Sequence, residues 1–140
     1  MERVLVLTQD ASWQERLTAI APAYGATLSI CPAVMGQQLQ DCLVGVDWVV
    51  ADMALLPPPE SPQINVVHHI LLKNHVTVVY SPGNTISLQD VRKSFIVGAV
   101  QMVEKPYTDA EIVRFFEHLL PSPGLSGGRR QWSLHLATQL

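Results

Sequence analysis

Five short apolar runs alternate with amphipathic stretches along the chain, and this alternation constrains the fold more than any other feature. Four of the runs barely alternate with polar residues, which is typical of parallel strands buried on both faces. The second run is more mixed, as expected for an edge strand. The runs are Val4 to Leu7, Ala26 to Ile30, Trp48 to Ala51, Val76 to Tyr80 and Ala99 to Val103. A β-α order repeated five times predicts an α/β fold with a parallel sheet and helices on both faces.

Helix start and stop signals lie between the runs. Patterns typical of an N-cap occur at Ser12, Ser61, Ser87 and Thr108, and those at Ser12 and Thr108 have the form of a capping box. The first helix should end near Pro22 and Gly25. The helix that starts at Ser61 should reach about Asn74, and a weaker helix is predicted over residues 34–43.

The length and composition exclude several classes of protein. A chain of 140 residues with 48% apolar and 15% charged residues suits one globular domain and not a disordered chain. A net charge of -3 gives no global attraction to nucleic acid or to an anionic membrane. No apolar run reaches about 18 residues, so no membrane span is expected. Cys31 and Cys42 are too few for a disulfide framework, which indicates reduced thiols in a cytoplasmic protein.

The composition also predicts where the domain ends. Residues 1–120 hold all five β-α units, and residues 121–128 (PSPGLSGG) have the composition of a linker. In residues 129–140 the side chains of Trp132, Leu136 and Leu140 recur four apart. This tail is expected to begin a helix that leads to a further domain or packs on a partner.

Polar side chains follow four of the predicted strands at the point where each strand ends. They are Asp10, Asp52, Ser81 and Lys105. Because the carboxyl ends of parallel strands meet at one edge of a sheet, these side chains should gather on one rim. A carboxylate, a hydroxyl and an ammonium at one place could hold a phosphoryl group, with the carboxylate as nucleophile.

Two stretches resemble response-regulator receiver domains. Residues 47–52 (DWVVAD), followed by Leu55, Leu56 and Pro57, resemble the third strand of that family, where an aspartate begins the strand and the phosphoacceptor aspartate ends it. Residues 97–107 (VGAVQMVEKPY) resemble the fifth-strand signature, Gly-Ala followed by Lys-Pro-aromatic. The resemblance covers residues 3–120.

The resemblance implies a flavodoxin-like, doubly wound sheet of five parallel strands in the order 2-1-3-4-5. It also implies roles for individual residues. Asp52 would be the phosphoacceptor, Ser81 the hydroxyl that senses the phosphoryl group, and Lys105 the lysine that contacts it. The Lys105-Pro106 peptide bond would be cis.

The sequence departs from the family at the rim itself. Receivers place two acidic residues directly after the first strand to hold Mg²⁺, and here Thr8 and Gln9 stand there. Asp10 and Asp52 alone predict a weak Mg²⁺ site at most. Met102 replaces the aromatic residue that usually moves with the hydroxyl, and residues 57–59 (PPP) stiffen the loop after the third strand.

Three functions remain open at this point. The first is a pseudo-receiver that acts mainly through protein-protein interaction and is not an enzyme. The second is a genuine phosphoacceptor, in which a histidine kinase supplies the phosphate and transfer to Asp52 is autocatalytic. The third is a flavodoxin-like small-molecule binder, which the absence of glycine from residues 8–12 disfavours.

Expected partners follow from these functions. They are a histidine kinase or another protein, or a second copy bound through the fourth helix, fifth strand and fifth helix. Neither a nucleic acid nor a membrane is expected as a partner of this domain.

Overall fold

A computed structural model describes residues 2–33, 36–83 and 85–119. Within them, five strands alternate with five helices, and short 3-10 turns follow the first helix and the third strand. In chain order the elements are β1 (Glu2–Leu7), α1 (Ala11–Ile20), β2 (Ala26–Cys31), α2 (Gln37–Cys42), β3 (Trp48–Asp52), α3 (Gln63–Ile70), β4 (His75–Tyr80), α4 (Leu88–Ile96), β5 (Ala99–Glu104) and α5 (Asp109–Leu119). The predicted linker and tail, residues 121–140, lie outside the described residues.

The strands form a parallel sheet in the order β2-β1-β3-β4-β5, which confirms the predicted topology. β2 lies at an edge, as its mixed composition indicates. The register pairs Leu7 with Ala51 and Asp52 with Val79. The carboxyl ends of the central strands therefore meet at one rim of the sheet.

Each central strand supplies side chains to both faces of the sheet. Val4 and Val6 pack on the face covered by α1 and α5, whereas Leu5 and Leu7 pack on the face covered by α2 and α3. Successive side chains of a strand point to opposite faces, so a strand between two helical layers must be apolar throughout. This explains why the apolar runs of the sequence hardly alternate.

The structure corrects several predicted helix boundaries. The first helix is capped by Asp10, whose carboxylate accepts a hydrogen bond from the Trp13 N–H, and not by Ser12. The third helix ends at Ile70 and not near Asn74. The second helix is shorter than predicted and covers Gln37–Cys42; residues 34 and 35 of its predicted span lie outside the described residues. Gly25, with φ of 69°, closes the 3-10 turn that follows α1, where the sequence predicts the stop.

The starts of the last two helices are confirmed. Ser87 and Asp90 form a reciprocal capping box on α4. Thr108 and Glu111 exchange the corresponding hydrogen bonds at the start of α5. No helix among the described residues is long and apolar enough to cross a membrane.

Candidate functional site

Asp52 lies at the carboxyl end of β3 with only 4% of its surface exposed. Its Oδ2 atom accepts a hydrogen bond of 2.8 Å from the Thr8 hydroxyl and lies 2.6 Å from Lys105 Nζ. Its Oδ1 atom accepts from the Ala54 backbone N–H at 3.1 Å. Both carboxylate oxygens are thus bonded within the protein, and the charge of the carboxylate is paired.

Lys105 connects two carboxylates from different elements. It follows β5, is only 5% exposed, and its Nζ lies 3.4 Å from Asp10 Oδ2 as well as 2.6 Å from Asp52 Oδ2. The ammonium also lies 5.1 Å from the centre of the Trp13 ring, within the range of a cation–π contact. The buried ammonium therefore occupies the space between Asp10 and Asp52.

Asp10 is bonded on both of its carboxylate oxygens. Its Oδ1 atom accepts from the Trp13 N–H at 3.1 Å, and its Oδ2 atom accepts from the Tyr107 hydroxyl and faces Lys105. The Tyr107 hydrogen bond is the main reason that the pKa of Asp10 is lowered from its usual value, although burial acts in the opposite direction. The same hydrogen bond, with burial, raises the pKa of Tyr107 to about 12.

Backbone contacts fix the loop that carries Lys105 and Tyr107. The Lys105 N–H donates to the Tyr80 carbonyl at 2.7 Å, which continues the β4–β5 pairing. The Trp13 indole N–H donates to the Pro106 carbonyl at 2.9 Å, and the Arg16 guanidinium donates to the Tyr107 carbonyl at 3.1 Å. The loop is therefore tied to the first helix as well as to the sheet.

The same loop contradicts one prediction. The resemblance to receivers implies a cis bond between Lys105 and Pro106, but the bond is trans. A cis bond is not needed to turn the lysine inward. The strand end already directs the Lys105 side chain to Asp52, so a trans bond suffices. In this respect the loop departs from what the resemblance to receivers implies.

Ser81 lies on a more open part of the rim. It follows β4 and borders, together with Asp52, a cleft of about 430 Å³. Thr85, Ile86 and Lys93 line the far side of this cleft. The structure thus brings Asp10 and Asp52 into direct contact with Lys105, and Ser81 borders the same cleft as Asp52.

Met102, which stands at the position of the usual mobile aromatic, is buried in β5 and held by α4. The Ser94 hydroxyl lies 3.2 Å from Met102 Sδ and donates at 3.1 Å to the Asp90 carbonyl. Ser94 is the fully buried residue of α4, and Val91 and Ile96 pack partly against the core. Leu88 and Phe95, in contrast, are 76% and 54% exposed.

The rim does not suit Mg²⁺, which requires near-octahedral oxygen ligands at about 2.0–2.1 Å. The carboxylates of Asp10 and Asp52 are close enough to share a cation, but the Lys105 ammonium already contacts both. The Thr8 hydroxyl also donates a hydrogen bond to Asp52. Gln9, at the other acidic position of the family, donates to the Pro32 carbonyl at 3.0 Å. Within the described part of the chain, no group of three or more His, Cys, Asp or Glu side chains could hold a metal ion.

Sequence reasoning found the four rim residues but not all of their partners. It treated Thr8 as the loss of an acid, whereas the structure shows a hydroxyl that donates to Asp52. It gave no site role to Trp13 and used Tyr107 only as part of the family signature, whereas Trp13 contacts Lys105 and Tyr107 contacts Asp10. The position of Thr8 directly after β1 was a usable signal. The contact between Tyr107 and Asp10, 97 residues apart, left no local pattern.

This fold and rim place the chain among proteins with the architecture of response regulator receiver domains, and comparison with solved structures agrees. No family model and no curated protein sequence matches the chain. The receiver domain of the TMAO respiratory system response regulator TorR is similar, with a TM-score of 0.63 and 19% identity over 85% of this chain and 96% of that one. A response regulator protein from Burkholderia multivorans gives a TM-score of 0.61 and 16% identity over 87% of this chain and 98% of that one.

A third similar structure has the same fold. A response regulator protein from Burkholderia pseudomallei, which contains a phosphorylated aspartic acid, a calcium ion and citrate, gives a TM-score of 0.61 and 10% identity over 100% of this chain and 76% of that one. At such low identities the comparisons establish the receiver fold.

Proposed function

We propose that this chain is a receiver-type signalling module that acts through protein-protein interaction, and that its Asp52 is not phosphorylated in the usual Mg²⁺-dependent way. The observation that carries this proposal is the contact of Lys105 Nζ with Asp52 Oδ2 at 2.6 Å, combined with the Thr8 hydrogen bond to the same oxygen. The nucleophilic carboxylate is neutralised by residues of the protein itself.

Charge explains why this arrangement disfavours phosphoryl transfer. A phosphoryl donor brings further negative charge to two carboxylates, and transfer depends on cations to neutralise it. A unit charge about 4 Å away contributes about 4 kcal/mol at an effective dielectric constant of about 20. Here one ammonium serves both Asp10 and Asp52. A metal ion would have to displace it from a buried position.

The second candidate function is autocatalytic phosphoryl transfer from a histidine kinase to Asp52. The specific observation in its favour is the cleft of about 430 Å³ beside Asp52, which Ser81 borders. For this function, Asp52 Oδ2 would have to exchange its bonds to Thr8 and Lys105 for a phosphoryl group, while Ser81 and Lys105 bind the phosphoryl oxygens.

An intact-mass experiment separates the two functions. The protein is incubated with acetyl phosphate and Mg²⁺, quenched in acid, and compared with Asp52→Asn and with a receiver domain known to be labelled under the same conditions. The proposal predicts no phosphoryl adduct on the wild type. An adduct on the wild type that is missing from Asp52→Asn would establish the phosphoacceptor function.

The α4 surface is the proposed route of interaction, and the proposed partner is a second copy of the chain. Leu88 and Phe95 project apolar side chains, whereas Arg92 and Lys93 on the same helix provide charge. A mixed surface of this kind favours specific, salt-sensitive contacts. Light scattering at low and high salt would test this assignment, and a monomer at every concentration would contradict it.

A further inference from the structure

The Tyr107 hydroxyl links Asp10, which faces Lys105, to a loop that is otherwise held by backbone contacts. Tyr107 is fixed on both sides, because its carbonyl accepts from Arg16 at 3.1 Å and its N–H donates to Glu111 at 3.3 Å. The ring packs against the core face covered by α1 and α5. The hydroxyl therefore reaches Asp10 from a fixed position.

Asp10 is the carboxylate that a cation would need in addition to Asp52. Its Oδ1 atom is committed to the start of α1 through the Trp13 N–H. Only Oδ2 is directed into the site, and it receives both the Tyr107 hydroxyl and the Lys105 ammonium. As long as the hydroxyl bonds to this oxygen, Asp10 points at Lys105 and offers a metal ion no free lone pair in the site.

We propose that Tyr107 is a positioning residue that holds Asp10 against Lys105 and thereby excludes divalent cations from the Asp10–Asp52 pair. This inference rests on the proposed function, because it explains why the rim keeps an internal ammonium in place of a metal ion. Thr8 has the corresponding role for Asp52, because its hydroxyl donates to the carboxylate oxygen that also faces Lys105.

The test is a double-mutant cycle that uses Mn²⁺ as the probe. Thr8→Asp adds a carboxylate where the Thr8 hydroxyl contacts Asp52, and Tyr107→Phe removes only the hydroxyl that holds Asp10. Binding is measured from the electron paramagnetic resonance signal of free Mn²⁺, and thermal melts verify that each variant is folded. Tyr24→Phe is the matched control, because it removes one hydroxyl from a ring in the 3-10 turn that follows α1.

A hydrogen bond to a charged group is strong enough that its loss should tighten Mn²⁺ binding about tenfold when Tyr107→Phe is added to Thr8→Asp. Tyr24→Phe should leave the affinity unchanged. Equal affinity with and without Tyr107→Phe would overturn the inference. If Thr8→Asp does not fold, Gln9→Asp supplies the acid from an exposed neighbouring position, and the same comparison applies.

The cycle also separates this inference from the proposed function. Wild-type protein that binds Mn²⁺ below about 1 mM and is labelled by acetyl phosphate would overturn the proposed function. In that case a tenfold gain from Tyr107→Phe would still show that the hydroxyl positions Asp10 and weakens cation binding, but it would no longer exclude the cation. Conversely, an unlabelled wild type with no effect of Tyr107→Phe would overturn the positioning role alone.

Discussion

The two sides of the rim differ in how their polar groups are satisfied. On the closed side, Thr8, Asp10, Lys105 and Tyr107 contact one another or Asp52 at hydrogen-bond or ion-pair distance. On the open side, Ser81, Thr85 and Lys93 border a cleft, and α4 exposes apolar side chains beyond it.

This difference indicates which side can respond to a partner. Buried charge pairs in a low-dielectric site are costly to rearrange, so the closed side resists change. The open side borders a cleft and exposes side chains of α4, and regions of that kind shift most readily when something binds. Under the proposed function, a partner would therefore act through the β4–α4 side, while Lys105 and Thr8 on the closed side pair Asp52.

Removal of the Lys105 ammonium, which Asp10 and Asp52 share, should lower the stability of the protein the most. Lys105→Met leaves two carboxylates without their ammonium, and should lower the free energy of unfolding by about 3–5 kcal/mol. Urea denaturation measures the loss. Lys93→Met on the open side is the matched control, with an expected change within about 0.5 kcal/mol. Equal losses for the two variants would show that the two sides do not differ.

Loss of the Thr8 hydroxyl should have the next largest effect on the free energy of unfolding. Thr8→Val keeps the branched shape but removes the donor to Asp52, and should cost about 1–3 kcal/mol because Thr8 is fully buried. Thr18→Val removes a hydroxyl that bonds to Gln14 on the exposed side of α1, and should cost less than about 0.5 kcal/mol. A Thr8→Val protein as stable as the wild type would contradict the role given to this hydroxyl.

High pH should weaken the closed side through Tyr107. The pKa of Tyr107 is raised to about 12, above its usual value of 10, so the folded state favours the protonated phenol. Its contribution to stability is complete below pH 10 and is lost as the pH rises towards 12. The tyrosine residues can be titrated by the absorbance of tyrosinate in the wild type and in Asp10→Asn. The pKa of Tyr107 should fall in the variant. The pKa of Tyr80, which is raised by burial and by Glu104, should not change. An unchanged titration in Asp10→Asn would contradict the assignment.

Changes on the open side should have the smallest effect on stability. Leu88→Ser and Phe95→Ser alter exposed side chains of α4, so the free energy of unfolding should change by less than about 0.5 kcal/mol. Self-association measured by analytical ultracentrifugation should nevertheless weaken. Val44→Ser is the control, because Val44 is exposed outside α4. If only Val44→Ser weakened self-association, the interface would lie outside α4.

The sequence predicted the sheet and the rim because both depend on local signals. Apolar runs such as Trp48 to Ala51 mark strands buried on both faces, and the residue after each run must lie at the carboxyl edge. The network between these residues was not predictable in the same way. Tyr107 and Asp10 meet because α1 and the β5–α5 loop pack together, and no spacing along the chain encodes that contact.

The errors at helix ends have a similar origin. Ser12 and Asp10 are both good N-cap residues, and which of them caps the helix depends on where β1 ends. Asp10 was also considered as a metal ligand, but its Oδ1 atom is used by the Trp13 N–H at the helix start. A residue with two plausible roles is therefore where sequence reasoning loses precision.

The most direct test of the closed rim is a titration of ¹⁵N-labelled wild-type protein with Mg²⁺ and beryllofluoride, a mimic of the phosphoryl group. Amide chemical shifts of Ala54, Ser81 and Lys105 report on the two sides of the rim. Because Lys105 and Thr8 occupy the Asp52 carboxylate, we predict no saturable shift at these amides. Saturable shifts at all three, absent from Asp52→Asn, would contradict the account and establish an activatable receiver.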